Sequence, residues 1–346
     1  MSPEEAKEYE RLMKGRPHVV ILGAGATMAA IPHGDKNGRK SSVMNGFIDA
    51  LGMSELLKGV NLKTNSSNLE DIYTELHDRA ECEAVREELD SRIRTYFSNL
   101  ELPGQPNIYD LLLLGLRKKD LVATFNWDPL LLQAYQRARQ FTKDLPDLAF
   151  LHGNVLVGYC RKHKWGGILT ANCRECGEPF QPAPLLYPVA HKNYAADPYI
   201  QDSWNAVRNK LKRAYVVTVF GYSAPKTDAE AIALMKDAWG AVDERELEDF
   251  EFIDIREEDE LIASWQDFVH SHHYQVHQDF FASSLAQHPR RTTVELFDRT
   301  MDCMFTEALR KFVPDMSWEQ VSVLVHELVR EEERLPAGGI LVTPAA

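Results

Sequence analysis

Positive charge is what this chain is shortest of. Its 346 residues carry 39 lysines and arginines against 52 aspartates and glutamates, a formal net charge of −13 at pH 7. A surface of that sign repels phosphate backbones, so direct nucleic-acid binding is not expected. A long apolar run is missing too. No stretch approaches the ~20 residues of a membrane-spanning helix. The opening "MSPEEAKEYERLMKGR" is charged throughout and lacks the apolar core of a secretory signal, so the expectation is a cytoplasmic protein. Cysteine is scarce, with five residues, an odd number. Without an export signal, their clustering favours metal over disulfides.

What is present is an alternation of strands and helices. "HVVIL" at 18–22, "LVATF" at 121–125, "LAFLHG" at 148–153, "AYVVTVFGYS" at 214–223 and "FEFIDI" at 250–255 read as strands, the last of them the final clear one. "PHGDKNGRK" at 32–40 reads as a mobile loop, and 41–116 as a helical insertion. Within that insertion, residues 68–100 place apolar side chains at three- and four-residue spacing, with Asn68 as cap. Helices are expected after Pro129 and at about 199–213, with an irregular module over 154–190. From 258 onward the pattern is helical, including 292–312 and 317–335, and Cys82 and Cys303 fall in helix-like runs as expected buried residues. The expected divisions are an N-terminal helix or arm (1–17), a main domain (18–256), a C-terminal helical region (257–335) and a loose tail (336–346). The fold class implied is α/β: a Rossmann-like parallel sheet with a large helical insertion, a small zinc-binding module and a helical C-terminal region.

Polar residues collect at strand ends, where open α/β sheets bind ligands. Gly23-Ala24-Gly25-Ala26-Thr27 follows the first strand. Such a turn lets amides approach a pyrophosphate, or serves as a tight turn with no ligand. Asn126 and Asp128 follow the second strand; Asp128 is as readily a helix cap as a ligand group. His152 ends the third strand as a candidate general base. Gly221 and Ser223 close the fourth, and Asp254 on the fifth completes the candidate cofactor-binding set. Cys160-x2-His163 and Cys173-x2-Cys176 make a closed tetrahedral donor set, expected to hold one structural zinc.

In this order the motifs "GAGAT", "FNWD", "LHG", "CRKH…CREC" and "GYS" resemble the sirtuin-like family, over roughly residues 18–256. The resemblance implies an NAD⁺-binding domain with a zinc module. Deacetylases of that family usually carry glutamine where Phe125 stands, and cysteine where His163 stands. "LLYPVAHKNYAADPYIQDSW" replaces their peptide-pairing segment, and the first loop differs as well. These departures are similar to those of divergent bacterial sirtuin-like domains that hydrolyse NAD⁺ in anti-phage defence. The resemblance therefore implies an NAD⁺ glycohydrolase, with Asn126 and His152 as catalytic pair and Asp128 on the nicotinamide carboxamide. An NAD⁺-dependent deacylase and a non-catalytic NAD⁺ or ADP-ribose sensor are the alternatives. A regulatory protein or a second copy of the chain would dock on the C-terminal helices, unless these simply cap the sheet.

Overall fold

Short apolar runs with no polar alternation fit strands covered on both faces. The computed structural model describes residues 2–40, 47–77, 79–187, 194, 197–224, 228–305 and 309–334. After α1 (Pro3–Lys14), begun by a capping box between Ser2 and Glu5, comes β1 (His18–Leu22), buried at every position. Next are α2 (Ala24–Ala30), α3 (Phe47–Ala50), α4 (Ser54–Lys58), α5 (Leu69–His77), α6 (Glu83–Ser98) and α7 (Ile108–Leu114), then β2 (Leu121–Thr124), α8 (Leu130–Ala138) and β3 (Asp147–Phe150). The module after β3 holds β4 (Val157–Cys160), β5 (Trp165–Ile168) and β6 (Gln181–Pro182). The chain continues through α9 (Pro198–Leu211), β7 (Val216–Phe220), α10 (Ala229–Trp239), β8 (Asp249–Ile253), α11 (Glu258–Trp265) and β9 (Tyr274–His277). Its last described helices are α12 (Ser284–Gln287), α13 (Thr292–Met301) and α14 (Trp318–Glu333).

Six strands form one parallel sheet in the order β3-β2-β1-β7-β8-β9. Counting only these strands along the chain, this is the 3-2-1-4-5-6 order of Rossmann folds, with the order reversing between β1 and β7. Alternate side chains feed two cores. Val20, Leu22 and Val122 pack with the helical insertion, while Val19, Ile21 and Val217 pack with α9, α10 and α11. The carboxyl ends are flush: Leu22 pairs with Thr124 and Phe220, Thr124 with Phe150, Phe220 with Ile253, and Ile253 with His277.

Several expectations are corrected. The segment after 258 is not wholly helical, because β9 adds a sixth strand beside β8. "YQVH" has a single aliphatic residue and is half-buried throughout, so its place comes from pairing with β8 rather than from an apolar pattern. The helix expected over 68–100 is two helices joined by a tight turn at Ala80–Cys82; Asn68 does cap the first, accepting from the Glu70 amide at 2.8 Å. The helix begun at Thr292 stops at Met301, and Cys303 is exposed with φ 53°. The irregular module contains a small antiparallel sheet, ordered β5-β4-β6. The loop at 32–40 is pinned by buried Asp35, which accepts from the amides of Asn37, Arg39 and Glu101 at 2.9, 2.8 and 3.1 Å. The expected tail and residues 41–46 of the insertion lie outside the described residues.

The C-terminal segment is tied down by charge as well as packing. α14 buries Val321, Val325 and Leu328, the first two in the core that also holds the helical insertion. The Arg290 side chain, fully buried, donates to Glu332 Oε1 and Oε2 at 2.8 and 2.7 Å and to Asp144 Oδ2 at 2.7 Å. It also donates to the carbonyls of Leu116 and Asp144, both at 3.1 Å. Removing one member of a buried pair strands its partners. Arg290→Ala should therefore lower the unfolding free energy by about 3–5 kcal/mol in chemical denaturation. A loss within ±0.5 kcal/mol would show that this junction does not hold the segment.

Candidate functional site

The flush edge sets where each strand-end residue stands. Gly23, Phe125, Leu151, Gly221, Asp254 and Gln278 each come one residue beyond the last paired level. Asn126 and His152 come two beyond, on adjacent strands. The shared register thus brings the sequence-derived candidates to one edge.

At the centre, the β1 and β7 exits lie backbone against backbone. A Cβ on Gly23 would fall 2.5 Å from the Gly221 carbonyl oxygen, and one on Gly25 would fall 2.8 Å from the Gly221 Cα. Gly221 itself has φ 58°, and a Cβ there would lie 2.4 Å from the Ala26 nitrogen. The Gly25 amide donates to the Gly221 carbonyl at 3.0 Å. These glycines are required by the turn-on-turn contact whether or not a ligand is bound. Above them opens a cavity of ≈ 590 Å³, within the range of small-ligand sites. Ala24, Gly25, Gly221, Ser223 and Asp254 line it, as does Arg256, which sequence reasoning missed. Arg256 grips both Asp254 oxygens, Nε to Oδ1 at 3.1 Å and Nη2 to Oδ2 at 2.9 Å, so that carboxylate is already paired. Gly23, Ala26 and Thr27 are buried beneath this wall.

Asn126 is held by its amide hydrogens. Its Nδ2 donates to the Gly23 carbonyl at 2.8 Å and to Thr27 Oγ1 at 2.9 Å, leaving Oδ1 as an acceptor. Thr27 in turn donates to Asp128 Oδ2 at 2.7 Å and lies 2.7 Å from the Tyr109 hydroxyl. Asp128 also caps α8, its Oδ1 accepting from the Leu130 amide at 3.0 Å. Burial raises the Asp128 carboxyl pKa, opposed by the bonds from Thr27 and the Leu130 amide. Both of its oxygens face protein donors and the residue is 4% exposed. The structure thus places Asp128 as a brace and cap under Asn126. Tyr109 arrives from α7, 17 residues upstream of Asn126, with no motif to announce it.

His152 lies in an aromatic enclosure and is 7% exposed. Its Nε2 is 3.0 Å from the Tyr194 hydroxyl and 3.9 Å from Asp228 Oδ1, and the Phe125 ring meets its edge at 4.8 Å. Phe125 stacks on Tyr222 at 4.2 Å, and the Tyr222 hydroxyl donates to Asp228 Oδ2 at 3.0 Å. Tyr194 and Asp228 lie outside the motifs read from the sequence, whereas Tyr222 is the middle residue of "GYS". Gly153 has φ 81°, and a Cβ there would fall 1.9 Å from the Pro184 carbonyl oxygen where the chain returns from the module.

The metal set is assembled as expected. Cys160 Sγ lies 3.6 Å from His163 Nδ1 and 3.9 Å from Cys176 Sγ, and Cys173 Sγ lies 3.5 Å from His163 Nδ1. All four ligand atoms fall within 4.8 Å of one another. Tetrahedral zinc with Zn–S of about 2.3 Å and Zn–N of about 2.0 Å needs ligand separations of roughly 3.5–3.8 Å, so the set fits that ion. The second knuckle is closed by Gly177, φ 72°, whose amide donates to the Cys173 carbonyl at 2.8 Å. Burial pushes the Cys173 thiol up, but amide hydrogen bonds from Cys176 and Glu175 outweigh it and bring its pKa down to about 6, favouring thiolate.

No family model matches this chain, and no curated protein matches it. Solved structures are similar at low identity. A mutant Sir2 homologue in complex with ADP-ribose shares 13% identity over 97% of this chain and 100% of that one, with a TM-score of 0.38. Sir2 bound to an acetylated peptide shares 14% over 86% and 98%, with a TM-score of 0.35. Sir2 with a p53 peptide and NAD⁺ shares 16% over 79% and 92%, with a TM-score of 0.35. Likenesses this faint leave the functional reading to the site itself.

The donor set makes a direct prediction. Metal analysis of purified protein should find about one zinc per chain, and Cys173→Ser should lose the metal and lower the melting temperature. A metal-free wild-type protein with an unchanged melting curve would refute the assignment.

Proposed function

We propose that this protein is an NAD⁺ glycohydrolase, cleaving NAD⁺ to nicotinamide and ADP-ribose. The observation that carries the reading is the position of the cavity. It opens at the carboxyl ends of β1 and β7, where the strand order reverses, and extends over β8. Such a crevice is where doubly wound sheets take dinucleotides. Asn126 and His152 stand at the ends of β2 and β3, on the other side of β1. A dinucleotide with its phosphates over the glycine turns would reach toward them with its nicotinamide end.

The N-glycosidic bond to nicotinamide needs little acid help, because the ring nitrogen leaves neutral from a cationic precursor. The demand falls on the ribose, which becomes oxocarbenium-like, and on the water that attacks it. Asn126 supplies Oδ1 as an acceptor for a ribose hydroxyl or that water, with its amide hydrogens anchored below. His152 accepts the proton, directly or through the Tyr194 hydroxyl, and Asp228 favours the imidazolium that results. Asp128 acts through Thr27, holding Asn126 in its rotamer. Phe125 fills with hydrocarbon the space beside His152. Zinc, held by the four ligands, stabilises the module and takes no part in the cleavage. A role in bacterial antiviral defence belongs to the same proposal, on the motif departures at Phe125 and after the module.

Asn126→Ala and His152→Ala should each cut the rate of nicotinamide release by about a hundredfold to ten-thousandfold. Zinc content and melting temperature should stay near those of the wild type. Products resolved by chromatography should be nicotinamide and ADP-ribose without added peptide. Release that depends wholly on an acetylated peptide would move the assignment to a deacylase, and ADP-ribose binding with no turnover would move it to a sensor.

A further inference from the structure

A second cavity, ≈ 580 Å³, lies apart from the first, between α8, the β3 edge and the zinc module. Two sheet edges meet there, since β3 ends the six-stranded sheet and β5 ends the three-stranded one. An edge strand carries backbone donors and acceptors with no strand partner. Five aromatic side chains line the space: Tyr135 from α8, Phe150 from β3, Trp165 from β5, Phe180, and Tyr199 from α9. The β5 wall is kept bare by two glycines. A Cβ on Gly167 would fall 2.8 Å from the Phe180 ring, and one on Gly166 would fall 3.4 Å from the Tyr199 ring. Trp165 is 48% exposed at the opening, a large ring without full cover.

The charge here runs against that of the molecule. Arg139 and Arg174 both border the cavity, and among the described residues neither guanidinium makes a hydrogen bond or ion pair. The one carboxylate lining the space, Asp147, is paired with Lys210 at 3.3 Å. Two uncommitted arginines beside aromatic faces, in a chain of net charge −13, make a local anion site with stacking surfaces.

We propose that this crevice binds a nucleoside monophosphate at a site separate from the strand-end cavity. The base stacks among the aromatic rings, the phosphate lies between Arg139 and Arg174, and the open backbone of β5 meets the edge of the base. The proposal does not depend on NAD⁺ cleavage.

The test is isothermal titration of the zinc-loaded full chain with the four ribonucleoside 5′-monophosphates, the matching nucleosides and inorganic phosphate. At least one monophosphate should bind with one-to-one stoichiometry, tenfold or more tightly than its nucleoside and than phosphate. The Arg139→Gln/Arg174→Gln double variant should weaken it at least tenfold, and Trp165→Ala should weaken it as well, with zinc content unchanged in both. Absence of binding at millimolar monophosphate, equal affinity for the nucleoside, or full binding by the arginine double variant would each overturn the proposal.

Discussion

The contact between two turns, with no side chain between them, is the constraint on which the rest depends. Gly23 and Gly25 leave β1 in van der Waals contact with Gly221 leaving β7, and any Cβ at these points would overlap backbone. That closeness holds the two exits level and keeps the crevice above them open. It also fixes the Gly23 carbonyl, the oxygen that anchors the Asn126 side chain at 2.8 Å. A steric rule about glycine thus passes, through one hydrogen bond, into the aim of a polar group two strands from Gly221.

The polar groups around Asn126 form a directed chain. Asn126 donates to Thr27, and Thr27 donates to Asp128, which accepts an amide of α8 with its other oxygen. Each buried polar atom in this chain is matched, as burial demands. Around His152 the arrangement differs: aromatic rings exclude water while Tyr194 and Asp228 supply the polar partners. One side of the strand-end site is therefore rigid through hydrogen bonds and the other through packing.

Much of this was legible in the chain because it rests on local pattern. β1, β2 and β7 are short, mostly apolar buried runs, β8 keeps three apolar residues around two buried carboxylates, and the metal ligands are spaced as knuckles. What could not be read depends on partners distant in sequence. β9 is polar and is a strand only because β8 offers it a ladder. Tyr109 reaches Thr27 from a helix 82 residues away, and Asp35 pins its loop partly through the Glu101 amide, 66 residues on. Arg256, two residues beyond the candidate Asp254, holds both of its oxygens, and no motif announces that pairing. The Asp128 carboxylate faces inward because Thr27, 101 residues upstream, holds one oxygen while the Leu130 amide holds the other.

The path of the chain through the zinc module has a consequence for how such a protein can change. The module leaves the sheet edge beside His152 and comes back to the same place, where the Leu186 amide donates to the His152 carbonyl at 2.9 Å and the Ala183 amide to the Val157 carbonyl at 3.0 Å. At its root, Asn154 fastens it to the Asp128 carbonyl at 2.5 Å. Its two ends are thus neighbours, and the ion closes the far end on itself. A part joined to its host through so narrow a neck can be lengthened, shortened or exchanged for another of similar footing while the strand edge keeps its register. Variation around the four ligands of the outer knuckles would then be tolerated over evolutionary time, whereas the neck residues Asn154, Gly153 and Leu186 carry the fit between part and host.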